Sequence, residues 1–91
     1  MGESTVMNET TIMSEPLLHD EMLDVSGLTC PLPILKTKKA LGGLMSGQVL
    51  KVIATDPSTQ RDFVFFTQQT GHILCHASQH EGQFIYWLQR K

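Results

Sequence analysis

The sequence predicts an α+β fold, a two-layer α/β sandwich in the order β-α-β-α-β-β, with a four-stranded mixed sheet and two helices on one face. Three observations lead there. Short apolar or alternating segments end in turn residues, proline opens each of two intervening stretches, and 91 residues leave room for one compact core. Two helices cover only one face of a sheet this size, so two layers are the economical packing.

Residues 1–20 are mostly Met, Glu, Thr, Ser and Asn without periodicity and read as a disordered tail, with Met7, Met13 and Met22 as alternative starts. The folded domain is expected over 21–91. Met22 to Val25 is the first strand, closed by Ser26 and Gly27, and Leu28 and Thr29 lead to Cys30. Pro31 suits the first turn of a helix, where its missing N–H would be unpaired anyway, and Pro33 is still tolerated there. Ile34, Leu35, Leu41 and Leu44 recur at helical spacing, while Gly42 and Gly43 weaken the far end and Gly47 ends the connection.

Gln48 to Thr55 is rich in aliphatic and β-branched residues and reads as a buried strand. Asp56 can cap a second helix, Pro57 can take its first position, Phe63, Phe66 and Thr70 mark an inward face, and Gly71 supplies the stop. From His72 to Glu81 the chain alternates. Ile73, Cys75 and Ala77 fall on one face, His72, His76, Ser78 and His80 mostly on the other, and Leu74 is out of phase. Glu81-Gly82-Gln83 turns the chain into a last strand, Phe84 to Gln89.

Composition narrows the function. The chain is 41% hydrophobic and 18% charged with a formal charge of −2, ordinary for a soluble domain and without the basic footprint that meets a phosphate backbone. Direct nucleic-acid binding is disfavoured. No apolar run approaches the roughly 18 residues of a membrane span, and the first twenty residues lack a signal peptide's basic start and apolar stretch. The expectation is a cytoplasmic monomer with no membrane partner, whose two cysteines stay reduced.

Cys30 is the candidate reactive atom. A thiol reacts as thiolate, and a helix start favours that anion through unpaired N–H groups and the macrodipole. Pro31 and Pro33 stiffen the junction and should hold the sulfur outward. No second cysteine lies near enough in sequence for a CxxC redox pair, so Cys30 works alone. Cys75, in phase with Ile73 and Ala77, is expected in the core.

Other residues carry open alternatives. Lys36, Lys38, Lys39 and, further off, Arg61 either form a basic patch near the thiol for an anionic sulfur or an acidic partner, or are a solvated helix face. His72, His76 and His80 on a strand stand roughly 13 Å apart per four residues, too far to share a metal, and read as surface residues. Asp56 and Asp62 are both candidate partner contacts, although each has a sufficient structural role at a helix start. One of Phe65 and Trp87 must face outward.

Leu23-Asp24, Gly27-Leu28, Cys30-Pro31-x-Pro33 and Asp56-Pro57-x-Thr59-x-x-Asp62 together resemble the TusA (SirA-like) sulfur-carrier family over about residues 22–91. The resemblance implies a two-layer α/β sandwich. It also implies that Cys30 accepts a persulfide sulfur from a cysteine desulfurase or rhodanese-like donor and passes it to an acceptor sulfurtransferase. No cofactor is implied beyond the sulfur held covalently on Cys30. Acceptors in the family serve 2-thiolation of tRNA, sulfur oxidation or cofactor biosynthesis, and Leu32 stands where the tRNA-modifying branch carries an acidic residue. Such a chain is a stoichiometric carrier, a sulfurtransferase only if its protein donor and acceptor count as substrates. The competing reading is a regulatory or protein-interaction module in which Cys30 only shapes the junction; the nearly isosteric Cys30→Ser separates the two.

Overall fold

The computed structural model describes residues 18–91. Its elements are β1 (Glu21–Asp24), α1 (Leu32–Gly42), β2 (Val49–Ala54), α2 (Thr59–Thr70), β3 (Ile73–His80) and β4 (Gln83–Gln89), the expected order. The strands form one sheet ordered β1-β2-β4-β3. β1 pairs parallel to β2, whereas β4 pairs antiparallel to both β2 and β3, so the sheet is mixed. The proposed tail lies almost wholly outside the described residues. At its inner end, Asp20 exchanges two 2.8 Å hydrogen bonds with Val49, through its own N–H and its side-chain Oδ2.

Alternation along the two central strands decides which face meets the helices. Leu50, Val52 and Ala54 of β2 and Phe84, Tyr86 and Leu88 of β4 are buried against Leu41, Leu44, Phe63 and Phe66, with Val25 closing the edge. Phe63 is the largest fully buried side chain, and its ring lies 4.4 Å from that of Tyr86 between centroids. Burying one such side chain stabilises the fold by about 1.5–3 kcal/mol. On the opposite sheet face Trp87 is also buried. Its cross-strand neighbours are Lys51, with Nζ 5.6 Å from the ring centroid, and His76, edge-on at 5.3 Å. Phe65 is therefore the aromatic that faces outward, 60% exposed.

Both helices start later than the prolines suggest. Pro31 caps α1 from outside, and the buried stripe of α1 is Pro33, Thr37 and Leu41; Leu35 is 54% exposed. Pro33 thus anchors the first turn inside the core as well as stiffening it. In α2 the Asp56-Pro57-Ser58 segment forms a turn before Thr59, and Gly71 ends the helix in the left-handed conformation at φ 87°. A side chain at Gly71 would be strained in backbone and would put its Cβ 3.3 Å from Lys91 Cδ.

The alternation expected for β3 fails at one point. Leu74 pairs with Leu88 but His76 pairs with Trp87, leaving Cys75 as the extra residue of a β-bulge. The bulge shifts the phase: Leu74 packs on the core, Ile73 is 50% exposed, and Cys75 is exposed, correcting its expected place in the core. The hairpin that follows is tight. Only Glu81 and Gly82 lie between His80 and Gln83, at φ 49° and 82°, the backbone a two-residue turn between right-twisted strands requires. No helix among the described residues is long and apolar enough to cross a membrane.

Candidate functional site

Cys30 sits at the mouth of the α1 helix, on the loop leaving β1. Backbone bonds fix that loop: Val25 N–H donates to Ile53 C=O at 2.8 Å, and Leu28 N–H to Val25 C=O at 3.2 Å. Gly27 N–H donates to Thr55 Oγ1 at 2.8 Å, tying the loop to the segment after β2. The last tie is at the cysteine itself, whose N–H donates to Asp56 Oδ2 at 2.8 Å.

Asp56 is the hub of the site. Its Oδ1 accepts the Ser58 N–H at 3.1 Å, its Oδ2 also accepts the Ser58 hydroxyl at 2.8 Å, and its carbonyl accepts both the N–H and the hydroxyl of Thr59. Because the Thr59 hydroxyl donates its only proton to that carbonyl, the 2.7 Å contact between Thr59 Oγ1 and Tyr86 Oη has Tyr86 as donor. A chain of hydrogen bonds therefore runs from the buried Tyr86 in β4 through Thr59 to Asp56 and out to the exposed backbone of Cys30. These bonds also hold the Asp56 carboxyl below the usual carboxylate range, the Ser58 N–H contributing most and the Cys30 N–H next.

The first positions of the helix give the sulfur less support as an anion than the sequence suggests. The Cys30 N–H is taken by Asp56, the Leu32 N–H donates to Thr29 C=O at 2.9 Å, and Pro31 and Pro33 have none. No backbone donor from 30 to 33 remains for an anionic sulfur. Acidic side chains stand there instead. Hydrogen bonding to Asp62 raises the thiol above its ordinary value, burial and the negative charges of Asp62 and Asp56 add to this, and Arg61 alone opposes it.

The thiol opens on a cleft of about 270 Å³ lined by Cys30, Pro31, Ile34, Asp62, Phe65, Phe66 and Gln69. Lys36, Lys38 and Lys39 lie exposed on α1 outside that lining, so the cleft does not bring them to the sulfur. Arg61 is nearer but extends into solvent, 83% exposed, with Nε 3.9 Å from Asp62 Oδ1. The sequence marks Asp62 only as a candidate partner contact and gives Thr59 no part in the site. The recurrence at every third position of Asp56, Thr59 and Asp62 is the available signal, because residues three apart are neighbours along a helix start.

The three histidines go separate ways. His72 stacks on Phe66 and accepts the Lys91 N–H at Nδ1, His76 meets Trp87, and His80 lies 3.8 Å from Glu81. Among the described residues no group of three or more His, Cys, Asp or Glu is placed to hold a metal ion. A second groove of about 230 Å³, between α2 and the β3–β4 hairpin, holds neither a thiol nor an acid.

Fold and site define a class: a small two-layer sandwich that presents an anchored, exposed thiol at the head of its first helix. The chain belongs to the TusA family, whose model, Sulfurtransferase TusA, matches residues 21–90. It is 50% identical over 74 residues to a protein of Neisseria meningitidis serogroup A, covering 81% of this chain and 100% of that one. It is 49% identical over 71 residues to the sulfur carrier protein TusA of Allochromatium vinosum, covering 78% and 93%. A SirA-like protein from Desulfitobacterium hafniense shares the fold with a TM-score of 0.69 at 21% identity, over 77% of this chain and 96% of that one.

Proposed function

We propose that this chain is a stoichiometric sulfur carrier of the cytoplasm. Cys30 takes a persulfide sulfur from a cysteine desulfurase or rhodanese-like donor and relays it to an acceptor sulfurtransferase. The observation that carries the reading is the fixed presentation of one exposed thiol, its backbone N–H held by Asp56, in a member of this family. Loading joins the Cys30 sulfur to the terminal sulfur of the donor's persulfide and breaks the donor's S–S bond. The Cys30 thiol and R–S–SH become Cys30 persulfide and R–SH, with no net oxidation. Unloading is the same exchange with the carrier as donor. Phe65, 60% exposed on the wall of the cleft that holds the thiol, supports protein partners at both ends of the relay.

The test is a pulse and chase. The purified protein is incubated with a cysteine desulfurase, pyridoxal phosphate and sulfur-labelled cysteine, separated, and offered to a candidate acceptor. Label should enter the carrier as a reductant-sensitive adduct and leave it for the acceptor. Label that never enters wild type, from desulfurase or from thiosulfate plus rhodanese, would remove the persulfide mechanism.

A further inference from the structure

Of the two carboxylates beside Cys30, Asp56 has both oxygens engaged, whereas Asp62 Oδ2 is buried and no nitrogen or oxygen donor reaches it. The charged groups acting on the thiol are Asp62 and Arg61 from α2 and Asp56 from the preceding loop. Arg61 spends its charge in solvent against the other oxygen of Asp62, where screening leaves such a pair weak. The rest of the cleft wall, from Pro31 and Ile34 to Phe65, Phe66 and Gln69, is uncharged. A carboxylate oxygen that no nitrogen or oxygen donor neutralises, on the wall of the cleft it shares with the thiol, opposes a second negative charge at its side.

We infer that Asp62 is a positioning residue that holds Cys30 as the neutral thiol in the free protein, a brake on its reactivity. The inference rests on Cys30 being the carrier sulfur, and it deepens that reading. The upward shift of the thiol agrees with it. A protonated thiol is a poor nucleophile and a poor target for oxidants, because both reactions start from the thiolate. The empty carrier is thus guarded against adventitious oxidation and alkylation.

Alkylation of Cys30 by iodoacetamide, followed across pH in a Cys75→Ser background, tests this. Asp62→Asn and Asp62→Ser should both lower the inflection of the rate profile, and Asp62→Glu should keep it raised. For each pH unit that the inflection falls, alkylation at neutral pH should rise about three- to fourfold. The thiolate population gains tenfold per unit, and the lower basicity of the sulfur takes back about half of that on a logarithmic scale. Thermal melts of the same variants separate misfolding from titration, and Asp62→Ser serves if Asp62→Asn fails to fold. Unmoved inflections in both neutral variants, or an equal fall in Asp62→Glu, would overturn the brake. The assay needs no sulfur donor, so an inflection that moves in protein that never takes up sulfur would count against the carrier reading alone.

Discussion

Both cysteines of this chain are free and exposed, yet they sit in opposite kinds of structure. Cys30 is built in: Asp56 holds its N–H, a buried Tyr86–Thr59 contact holds Asp56, and Asp62 shares the cleft with its sulfur. Cys75 is the surplus residue of a β-bulge, and the one contact of its sulfur is a 3.9 Å approach to the carbonyl of Ile73, two residues back. Exposure therefore does not separate the proposed carrier thiol from the other cysteine. Anchoring does, because a sulfur that must meet a partner's sulfur in line gains from a backbone that is already placed.

The contrast breaks most sharply at Asp56. Asp56→Ala frees the Cys30 N–H and the α2 turn together, and displacements of about 1 Å at a reacting group can cost about a hundredfold. Sulfur loading should fall about tenfold or more, while His76→Ala, beside Cys75, should leave the rate within about twofold; initial rates of persulfide formation measure both.

Stability gives the next contrast. Thr59→Val removes the acceptor for the buried Tyr86 hydroxyl and should cost about 1–3 kcal/mol in chemical denaturation. Cys75→Ala, on the surface, should stay within about 0.5 kcal/mol. A large loss at Cys75 would show that the bulge is as deeply anchored as the Cys30 loop.

The smallest effects lie in the pH dependence, where the two regions weaken at opposite ends of the scale. Burial lowers His72, and the positive charges of Lys91 and Arg90 lower it further, so the native state keeps it neutral. As pH falls below about 6.5, the unfolded chain binds a proton that the fold does not, and stability declines until the folded histidine titrates as well. Cys30 runs the other way. Its raised thiol keeps a proton after the unfolded chain has lost it, so stability declines as pH rises from the ordinary thiol range through the folded value. Melting curves across pH should lose the part of the acid decline that begins at about pH 6.5 in His72→Gln, and the part of the alkaline decline that begins in the ordinary thiol range in Cys30→Ser.

The same contrast marks what the sequence could disclose. Element order was legible because β-branched runs, Asp-Pro and Gly71 act locally, and the resulting α+β sandwich is the one the chain adopts. The Cys75 bulge was not, since strict alternation assumes an unbroken ladder; the out-of-phase Leu74 was its only trace. At Cys30 a local rule was incomplete. The helix start suggests a stabilised anion, but the donors at 30–33 are bonded or absent, and the acids beside the sulfur come from α2 and the loop before it, about thirty residues further on. Nothing within a few residues of Cys30 encodes that arrival. The recurrence of Asp56, Thr59 and Asp62 at every third position does, once the helix is known to pack beside the cysteine.

The most direct test of the account is intact mass under non-reducing conditions after incubation with a cysteine desulfurase, cysteine and pyridoxal phosphate. Wild type and Cys75→Ser should each gain about 32 Da, one sulfur atom on the nucleophilic thiol, and Cys30→Ser should gain nothing. Equal gain in Cys30→Ser, or loss of the gain in Cys75→Ser, would contradict the assignment of the carrier sulfur to Cys30.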